Sequence, residues 1–220
     1  MEQEIIRKWN ALTILLLAAS TLSVSAYALQ VTETEDIKAN DTAISIVTRN
    51  EWSARDPKMV ERFTGTIPFV IIHHSYIPKA CYDEDGCSKA MRKMQDMHQL
   101  KNGWNDIGYS FAVGGDGRIY HGRGYNVIGA HSPRYNDKSI GICLIGDWTI
   151  EKPPQAMLSA TKRFIELSVE NGFLSPNYKL LGHRQVRNTE CPGQRLYEEI
   201  SSWSHFSNKP AGPDDPEIPY

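Results

Sequence analysis

Histidine and cysteine side chains are the part of this sequence best suited to chemistry. His73 and His74 end the apolar run 69–72, His183 follows the short apolar segment 179–182, and Cys191 comes eight residues later. Zinc accepts imidazole nitrogen and thiolate sulfur together, and catalytic zinc sites use three protein ligands plus a water. Because side chains alternate along a strand, only one of the two adjacent histidines can join a given site. The pattern is compatible with an open zinc site.

Spacing alone leaves two other interpretations open, since the sequence contains neither Cys-x-x-Cys nor His-Glu-x-x-His. In one, Cys191 is a thiol nucleophile and His183 is its base. In the other, a packed histidine lies beside a free cysteine. The other histidines are interpreted as polar surface or core residues: His98, His121, His131 and His205.

The amino-terminal 28 residues have the features of a secretory signal. Arg7 and Lys8 precede the apolar run 11–24, and Ala26-Tyr27-Ala28 suits cleavage after Ala28. The run has about 14 residues, fewer than the roughly 20 that span a bilayer. An uncleaved membrane anchor is the alternative. We therefore expect a secreted, extracellular protein whose mature form has no membrane partner.

Export to an oxidising compartment permits disulfides. Cys81 and Cys87 flank a five-residue polar segment, so the sequence predicts a bridge between them. Closing so short a loop contributes roughly 2 kcal/mol. Cys143 lies in a predicted apolar strand and is expected to be a buried free thiol. Asn40-Asp41-Thr42 is a glycosylation sequon whose occupancy the sequence leaves open.

Composition and charge exclude several classes of protein. The 220 residues are 40% hydrophobic and 23% charged, which excludes collagens, coiled coils and multi-span membrane proteins. Lysine and arginine number 24 against 26 acidic residues, so no basic excess favours a nucleic-acid partner. A polar lead-in at 29–45 and a proline-rich tail at 208–220 are expected to be disordered. The segment 46–207 shows no linker or repeat and is predicted to be a single domain, and the protein to be a monomer.

Strand and helix signals alternate along this domain. Strands are predicted at 69–73, 109–113, 119–120 and 140–145, with a hairpin turn at 114–117. Helices are predicted at 88–102, with Ser88 as the cap and Gly103 as the stop, at 154–171 and at 194–203. This order favours an α/β fold with a mixed central sheet flanked by helices.

Six sequence blocks resemble, in order, the peptidoglycan recognition protein family, and most of all its catalytic insect members of the LB type. Together they span most of the mature chain. The blocks are Val70-Ile-Ile-His-His-Ser75, Gly103-Trp-Asn-Asp-Ile-Gly-Tyr-Ser-Phe111, Val113-Gly-Gly-Asp-Gly117, Gly122-Arg-Gly124, Ile145-Gly-Asp-Trp148, and Gly182-His-Arg-Gln185 with Thr189-Glu-Cys-Pro-Gly193. The resemblance implies the fold of type 2 amidases, related to a phage lysozyme amidase.

The resemblance also implies roles for individual residues. His73, His183 and Cys191 match the zinc ligands of the catalytic members, Tyr109 matches a tyrosine required for amidase activity, and Thr189 matches a threonine that assists at the metal. Alternation along an extended chain places Thr189 and Cys191 on one face, so the hydroxyl is within reach of the site. Noncatalytic receptors of the family usually carry serine at the cysteine position.

The implied reaction is zinc-dependent hydrolysis of the amide between N-acetylmuramic acid and L-alanine, in bacterial peptidoglycan and muropeptides. Such cleavage removes immunostimulatory fragments and dampens innate immune signalling. The alternative function is that of a receptor which binds peptidoglycan without cutting it, and Cys191 favours the enzyme.

The resemblance extends to substrate specificity. Gly103, Trp104 and Arg123 match positions that accompany preference for diaminopimelic acid in the stem peptide. An arginine fork can hold the additional carboxylate of that residue by two hydrogen bonds. The alternative is that Arg123 is a solvated charge at a strand end. Tyr76, Trp104 and His98 are further candidates to line the groove.

Overall fold

A computed structural model describes residues 44–209, in which six strands form one mixed sheet. Their order across the sheet is β1-β4-β3-β5-β2-β6. Only β3 and β4 pair antiparallel, through the turn predicted at 114–117, and the other neighbours are parallel. The strands are β1 (Ile46–Val47), β2 (Ile67–His74), β3 (Phe111–Val113), β4 (Ile119–His121), β5 (Ser139–Leu144) and β6 (Leu174–Gly182). The predicted mixed sheet is confirmed.

Strand β2 lies between β5 and β6 and carries the histidine pair at its carboxyl end. All of its residues except Pro68 are buried. A continuous apolar run is typical of a parallel strand that is covered on both faces. The end of β2 is therefore fixed by a neighbouring strand on each side.

Within the described residues, three α-helices accompany the sheet: α1 (Glu84–Asp96), α2 (Gln155–Glu170) and α3 (Gln194–Ile200). A π-helical turn, Met97–Lys101, continues α1, and a short 3₁₀ turn, His183–Gln185, follows β6. Helix α2 has Pro154 and Asn171 as its caps, which agrees with the predicted span. Helix α3 is shorter than the predicted 194–203.

The predicted start of α1 at Ser88 is wrong. Asp83 is the cap, and its side chain accepts a hydrogen bond of 2.7 Å from the backbone N–H of Gly86. Aspartate and serine both cap helices well, and acidic residues in the first turn favour the earlier start. Cys87 is consequently a helical residue, and its disulfide with Cys81 joins the preceding loop to the first turn of α1.

The sequence indicated only a short apolar segment at 179–182, whereas strand β6 begins at Leu174 and includes Pro176. Proline lacks a backbone N–H and is confined to edge strands or bulges. Here β6 is an edge strand, and its pairing with β2 shifts register between Ile67 and Phe69. The irregularity accommodates the proline and leaves the end of β6 in regular pairing.

The expected signal segment 1–28, the sequon at Asn40 and almost all of the lead-in and the tail lie outside the described residues. Within residues 44–209, every helix is too short or too polar to cross a bilayer. Cys143 is buried and free, as predicted.

Candidate active site

Neighbouring parallel strands bring His73 and His183 together. Ile72 of β2 pairs with Gly182 at the end of β6, so the residues that follow each of them lie side by side. The two imidazole ring centroids are 4.3 Å apart. The site lies at the carboxyl ends of the strands, where α/β sheets commonly bind ligands. His74 is not part of this group, and its Nδ1 accepts the backbone N–H of Trp148 at 3.3 Å.

Cys191 completes a group of three metal-binding side chains. Its Sγ lies 3.8 Å from Nδ1 of His73, and one ligand atom from each of the three residues lies within 4.8 Å of the others. We call His73, His183 and Cys191 the ligand cluster. The structure therefore brings together the three residues that the sequence singled out as zinc ligands.

Backbone and side-chain hydrogen bonds hold Cys191 in place. The N–H of His74 donates to its Sγ at 3.4 Å. Thr189 Oγ1 accepts the N–H of Cys191 at 3.3 Å, and the Arg184 guanidinium donates to the carbonyl of Glu190. Thr189 thus acts on the backbone of a ligand, a contact that strand alternation did not indicate.

The donor set fits a divalent cation. Burial lowers the pKa of His73 well below its ordinary value and that of His183 to about 4, so both imidazoles are neutral at pH 7. Nε2 of His183 is buried and has no hydrogen-bond partner within the described residues. Burial also raises the pKa of Cys191 to about 12. A coordinated cation lowers the pKa of a thiol and makes it lose its proton, whereas two neutral imidazoles cannot do so.

Tyr109 lies beside the ligand cluster, just before β3. Its ring is partly buried against the core, and its centroid is 5.2 Å from that of His73. Its hydroxyl is close enough to the thiol of Cys143 for each group to affect the pKa of the other. Burial raises the pKa of Tyr109 well above 10, so the phenol keeps its proton and can only donate a hydrogen bond to a developing anion.

A cleft of about 430 Å³ opens over the ligand cluster. One lining histidine, His131, was interpreted as a surface or core residue and belongs to no motif that would have marked it for a role beside the site. Burial lowers the pKa of His98 to about 4 and that of His131 to about 3, so both are neutral. The lining residues are His73, His98, Trp104, Tyr109, Ala130, His131, Pro133, Asn136, His183 and Arg187.

Two of the three additional groove candidates line this cleft. His98 stacks on Trp104 with ring centroids 4.7 Å apart, and its Nδ1 accepts the N–H of Gly108 at 3.0 Å. Tyr76 does not line the cleft, and 55% of its surface is exposed. The structure places His98 and Trp104 in the lining of the cleft, and a role for Tyr76 in the groove stays a prediction.

A second pocket of about 270 Å³ adjoins the cleft and contains the three predicted specificity residues. Trp104 and Ala130 line both cavities. Gly103 has φ +73, a conformation that favours glycine. We call this the Arg123 pocket; its lining is Glu61, Gly103, Trp104, Asn105, Arg123, Ile128, Gly129 and Ala130.

Arg123 is anchored by backbone carbonyls rather than solvated at a strand end. Its Nε donates to Ile107 at 2.6 Å, Nη1 to Ile128 at 2.7 Å and Nη2 to Asp106 at 3.4 Å. A guanidinium has five N–H bonds, so two remain for a ligand. Burial lowers the pKa of Arg123, and the charges of Asp106 and Glu61 oppose that shift.

Comparison with known proteins agrees with this site. A family model described as N-acetylmuramoyl-L-alanine amidase matches residues 63–194. Peptidoglycan-recognition protein LB of Drosophila melanogaster is 63% identical over 163 residues, which make up 74% of this chain and 70% of that protein.

Solved structures of related proteins share the fold. A Drosophila PGRP-LB mutant in complex with tracheal cytotoxin has a TM-score of 0.73 at 63% identity, covering 74% of this chain and 96% of that chain. Peptidoglycan recognition protein-LE, in complex with tracheal cytotoxin (monomeric diaminopimelic acid-type peptidoglycan), also has a TM-score of 0.73, at 38% identity and with coverage of 74% and 96%.

Proposed function

The chain belongs to the N-acetylmuramoyl-L-alanine amidase family, alongside peptidoglycan-recognition proteins, and on that premise we propose that it is a zinc-dependent amidase of bacterial peptidoglycan. The bond cut is the amide between N-acetylmuramic acid and the L-alanine of the stem peptide. The single observation that carries this proposal is the convergence of His73, His183 and Cys191 beside an open cleft that the two histidines line.

The ligand cluster is the proposed place for the zinc ion. Bound there, zinc would supply a Lewis acid that polarises the amide carbonyl and lowers the pKa of a water molecule. The protein contributes two neutral imidazoles and a thiol held by the His74 N–H and by Thr189, through the backbone of Cys191.

Tyr109 is proposed to stabilise the oxygen of the amide as negative charge develops on it. Its phenol stays protonated at neutral pH and lies beside His73 on the wall of the cleft. A prepositioned donor of this kind stabilises a transition state more than a ground state. A thiol is a weak hydrogen-bond acceptor, so the Tyr109 hydroxyl would lose little by turning from Cys143 toward the substrate.

The chemistry of Cys191 argues against a cysteine peptidase. A nucleophilic cysteine needs a lowered pKa, commonly from a neighbouring imidazolium. Burial here raises the pKa of the thiol to about 12 and keeps His183 neutral, with a pKa of about 4. A binding-only receptor, the second alternative, has no need for the complete ligand cluster.

The Arg123 pocket supports a preference for diaminopimelic acid at the third position of the stem peptide. Two N–H bonds of Arg123 remain for the additional carboxylate, and Trp104 lines both this pocket and the cleft where the amide between N-acetylmuramic acid and L-alanine would be cut. Two relatives have been solved with tracheal cytotoxin, which one of them describes as diaminopimelic acid-type peptidoglycan. A lysine-type stem lacks that carboxylate.

The setting proposed for this activity is extracellular, with the protein acting as a monomer. The apolar segment at 11–24 supports export, and the Cys81–Cys87 disulfide is compatible with an oxidising compartment. Destroying muropeptides there would dampen the antibacterial immune response.

Mass spectrometry of muropeptides after incubation with the purified protein tests the proposal. We expect free stem peptides that begin with L-alanine, loss of this product with a chelator, and recovery with added zinc. Binding of the muropeptide without any cleavage, in a zinc-loaded protein, would establish the receptor instead.

A further inference from the structure

We infer that His131 is a positioning residue for the metal site, one that holds the His73 imidazole in the tautomer and orientation needed to bind the ion. The inference rests on the proposed function, since it assumes that the ligand cluster binds zinc. It concerns a histidine that contacts a ligand and is not itself one of the three ligands.

The hydrogen bonds around His131 fix the position of each proton. The hydroxyl of Ser139 donates to the carbonyl of Tyr135 at 2.6 Å, so toward His131 its oxygen can only accept. Nε2 of His131 lies 3.4 Å from that oxygen and therefore carries the hydrogen. In the neutral ring the other nitrogen, Nδ1, is then a bare acceptor.

The same reasoning fixes the tautomer of His73. Its Nε2 lies 3.0 Å from the bare Nδ1 of His131 and must carry a hydrogen. Nδ1 of His73 is left with a free lone pair, and this nitrogen lies 3.8 Å from Sγ of Cys191. The hydrogen bonds from His73 to His131 and from His131 to Ser139 thus leave Nδ1 of His73 unprotonated and facing the other two residues of the ligand cluster.

The surroundings of the His131 ring hold it in this orientation. A Cβ at Gly141 or at Gly129 would lie 2.5 Å from the ring, so a side chain at either position would displace it. The backbone N–H of His131 donates to Oδ1 of Asn136 at 2.9 Å. His131 is 7% exposed, and the ring is therefore a built part of the site rather than a mobile lining residue.

A partner that orients a metal-binding histidine contributes measurably to metal affinity, typically 10- to 100-fold. Carboxylates and backbone carbonyls commonly fill this role, whereas here a second imidazole does so. Replacing His131 by leucine removes the acceptor and frees the His73 ring to adopt the other tautomer. Replacing it by asparagine keeps an acceptor, since the amide oxygen can occupy the place of Nδ1.

The test measures zinc affinity of the full-length protein by competition with a chromophoric chelator. We expect His131→Leu to weaken zinc binding by about 10- to 100-fold and His131→Asn to recover most of that loss. His98→Leu is the matched control, because His98 is another buried histidine of the same cleft and contacts no residue of the ligand cluster. Its zinc affinity should equal that of the unmodified protein.

Three results separate the possible failures. Equal zinc affinity of His131→Leu and the unmodified protein would overturn the inference, as would equal losses in His131→Leu and His131→Asn. If the leucine variant does not fold, Ser139→Ala decides, because removing the acceptor of Nε2–H should also weaken zinc binding; unchanged affinity there would refute the proton assignment. An unmodified protein that binds no zinc would instead refute the proposed function.

Discussion

The ligand cluster and the Arg123 pocket are adjacent, but they are built from different parts of the fold. The cluster lies at the ends of β2 and β6, which pair with each other, and in a loop that is hydrogen-bonded to the end of β2, and His73 is 1% exposed. The Arg123 pocket is made from loop residues, and its Trp104 is 37% exposed. Bond cleavage requires atoms fixed to within about 0.5 Å, which strand ends provide. Loops tolerate sequence changes and therefore often carry the residues that determine which substrate is bound. The two regions should therefore respond differently to mutation.

Replacing Cys191 by serine should have the largest effect, and only at the ligand cluster. We expect hydrolysis to fall by about 10³-fold or more, because metal-ion stabilisation contributes several kcal/mol to the transition state. Muropeptide binding should persist, since the Arg123 pocket does not involve the thiol. Calorimetry and elemental analysis measure binding and zinc content. Full activity in a metal-free Cys191→Ser protein would refute the assignment.

Removing the Tyr109 hydroxyl should have the next largest effect. Tyr109→Phe should retain zinc and slow turnover by about 10²- to 10³-fold, or roughly 3–4 kcal/mol, because one donor to the developing oxyanion is lost. Tyr120→Phe is the matched control, since that hydroxyl bonds to Asp116 and its ring lies outside the cleft. Single-turnover rates compare the two. An unchanged rate for Tyr109→Phe would reduce Tyr109 to a packing residue.

His98 lines the cleft and stacks on Trp104 of the Arg123 pocket. Its titration should make the free energy of unfolding depend on pH. Its pKa in the folded state is about 4, lowered from 6.5 by burial. The neutral ring therefore stabilises the fold fully above pH 6.5, and this contribution is lost as the pH falls through 4. The loss amounts to about 3 kcal/mol at pH 4.

His98→Asn isolates this effect, because it keeps an acceptor for the Gly108 N–H but cannot titrate. Urea unfolding of the two proteins at pH 7 and pH 4 gives the difference. We expect the variant to lose less free energy of unfolding on acidification. Parallel pH profiles would show that His98 is charged in the folded state or has relaxed into solvent.

Replacing Arg123 should have the smallest effect on catalysis and a selective effect on substrate choice. We expect Arg123→Ala to narrow the preference for diaminopimelate over lysine muropeptides by about 5- to 150-fold, equivalent to 1–3 kcal/mol. Arg123→Lys should recover little of it, because lysine lacks the planar fork.

The ratio of hydrolysis rates on matched muropeptides is the measurement for Arg123. It does not depend on how much protein is folded, which matters because the variant leaves the carbonyls of Ile107 and Ile128 without their donor. Equal rates on both substrates in the unmodified protein would show that Arg123 does not determine substrate specificity. The proposal of metal-dependent hydrolysis would not be affected.

The ligand cluster could be predicted from sequence because its three residues lie within family motifs. Two of them, His73 and His183, also follow apolar segments, whereas spacing alone left the role of Cys191 open. His73 and His183 are each one residue beyond a paired position of adjacent strands, so local pattern and topology agree. Helix α2 was equally clear, since its caps and its apolar face fit one span.

His131 and the anchoring of Arg123 could not be predicted, because both depend on contacts between distant segments. His131 meets His73 across 58 positions of sequence, and its loop has no periodic pattern. The carbonyls that bind Arg123 belong to residues in two different loops. Backbone acceptors carry no sequence signature, so only the fold reveals them.

The backbone N–H of His74 donates to the sulfur of Cys191, and a main-chain donor is independent of residue type. A serine hydroxyl at position 191 would find the same donor in the same place. The loop could therefore keep its shape while the capacity to hold a metal disappears. Given the proposed function, exchanging this one sulfur atom for oxygen would abolish hydrolysis and leave recognition in place, so an enzyme lineage could give rise to a sensor without rebuilding its groove.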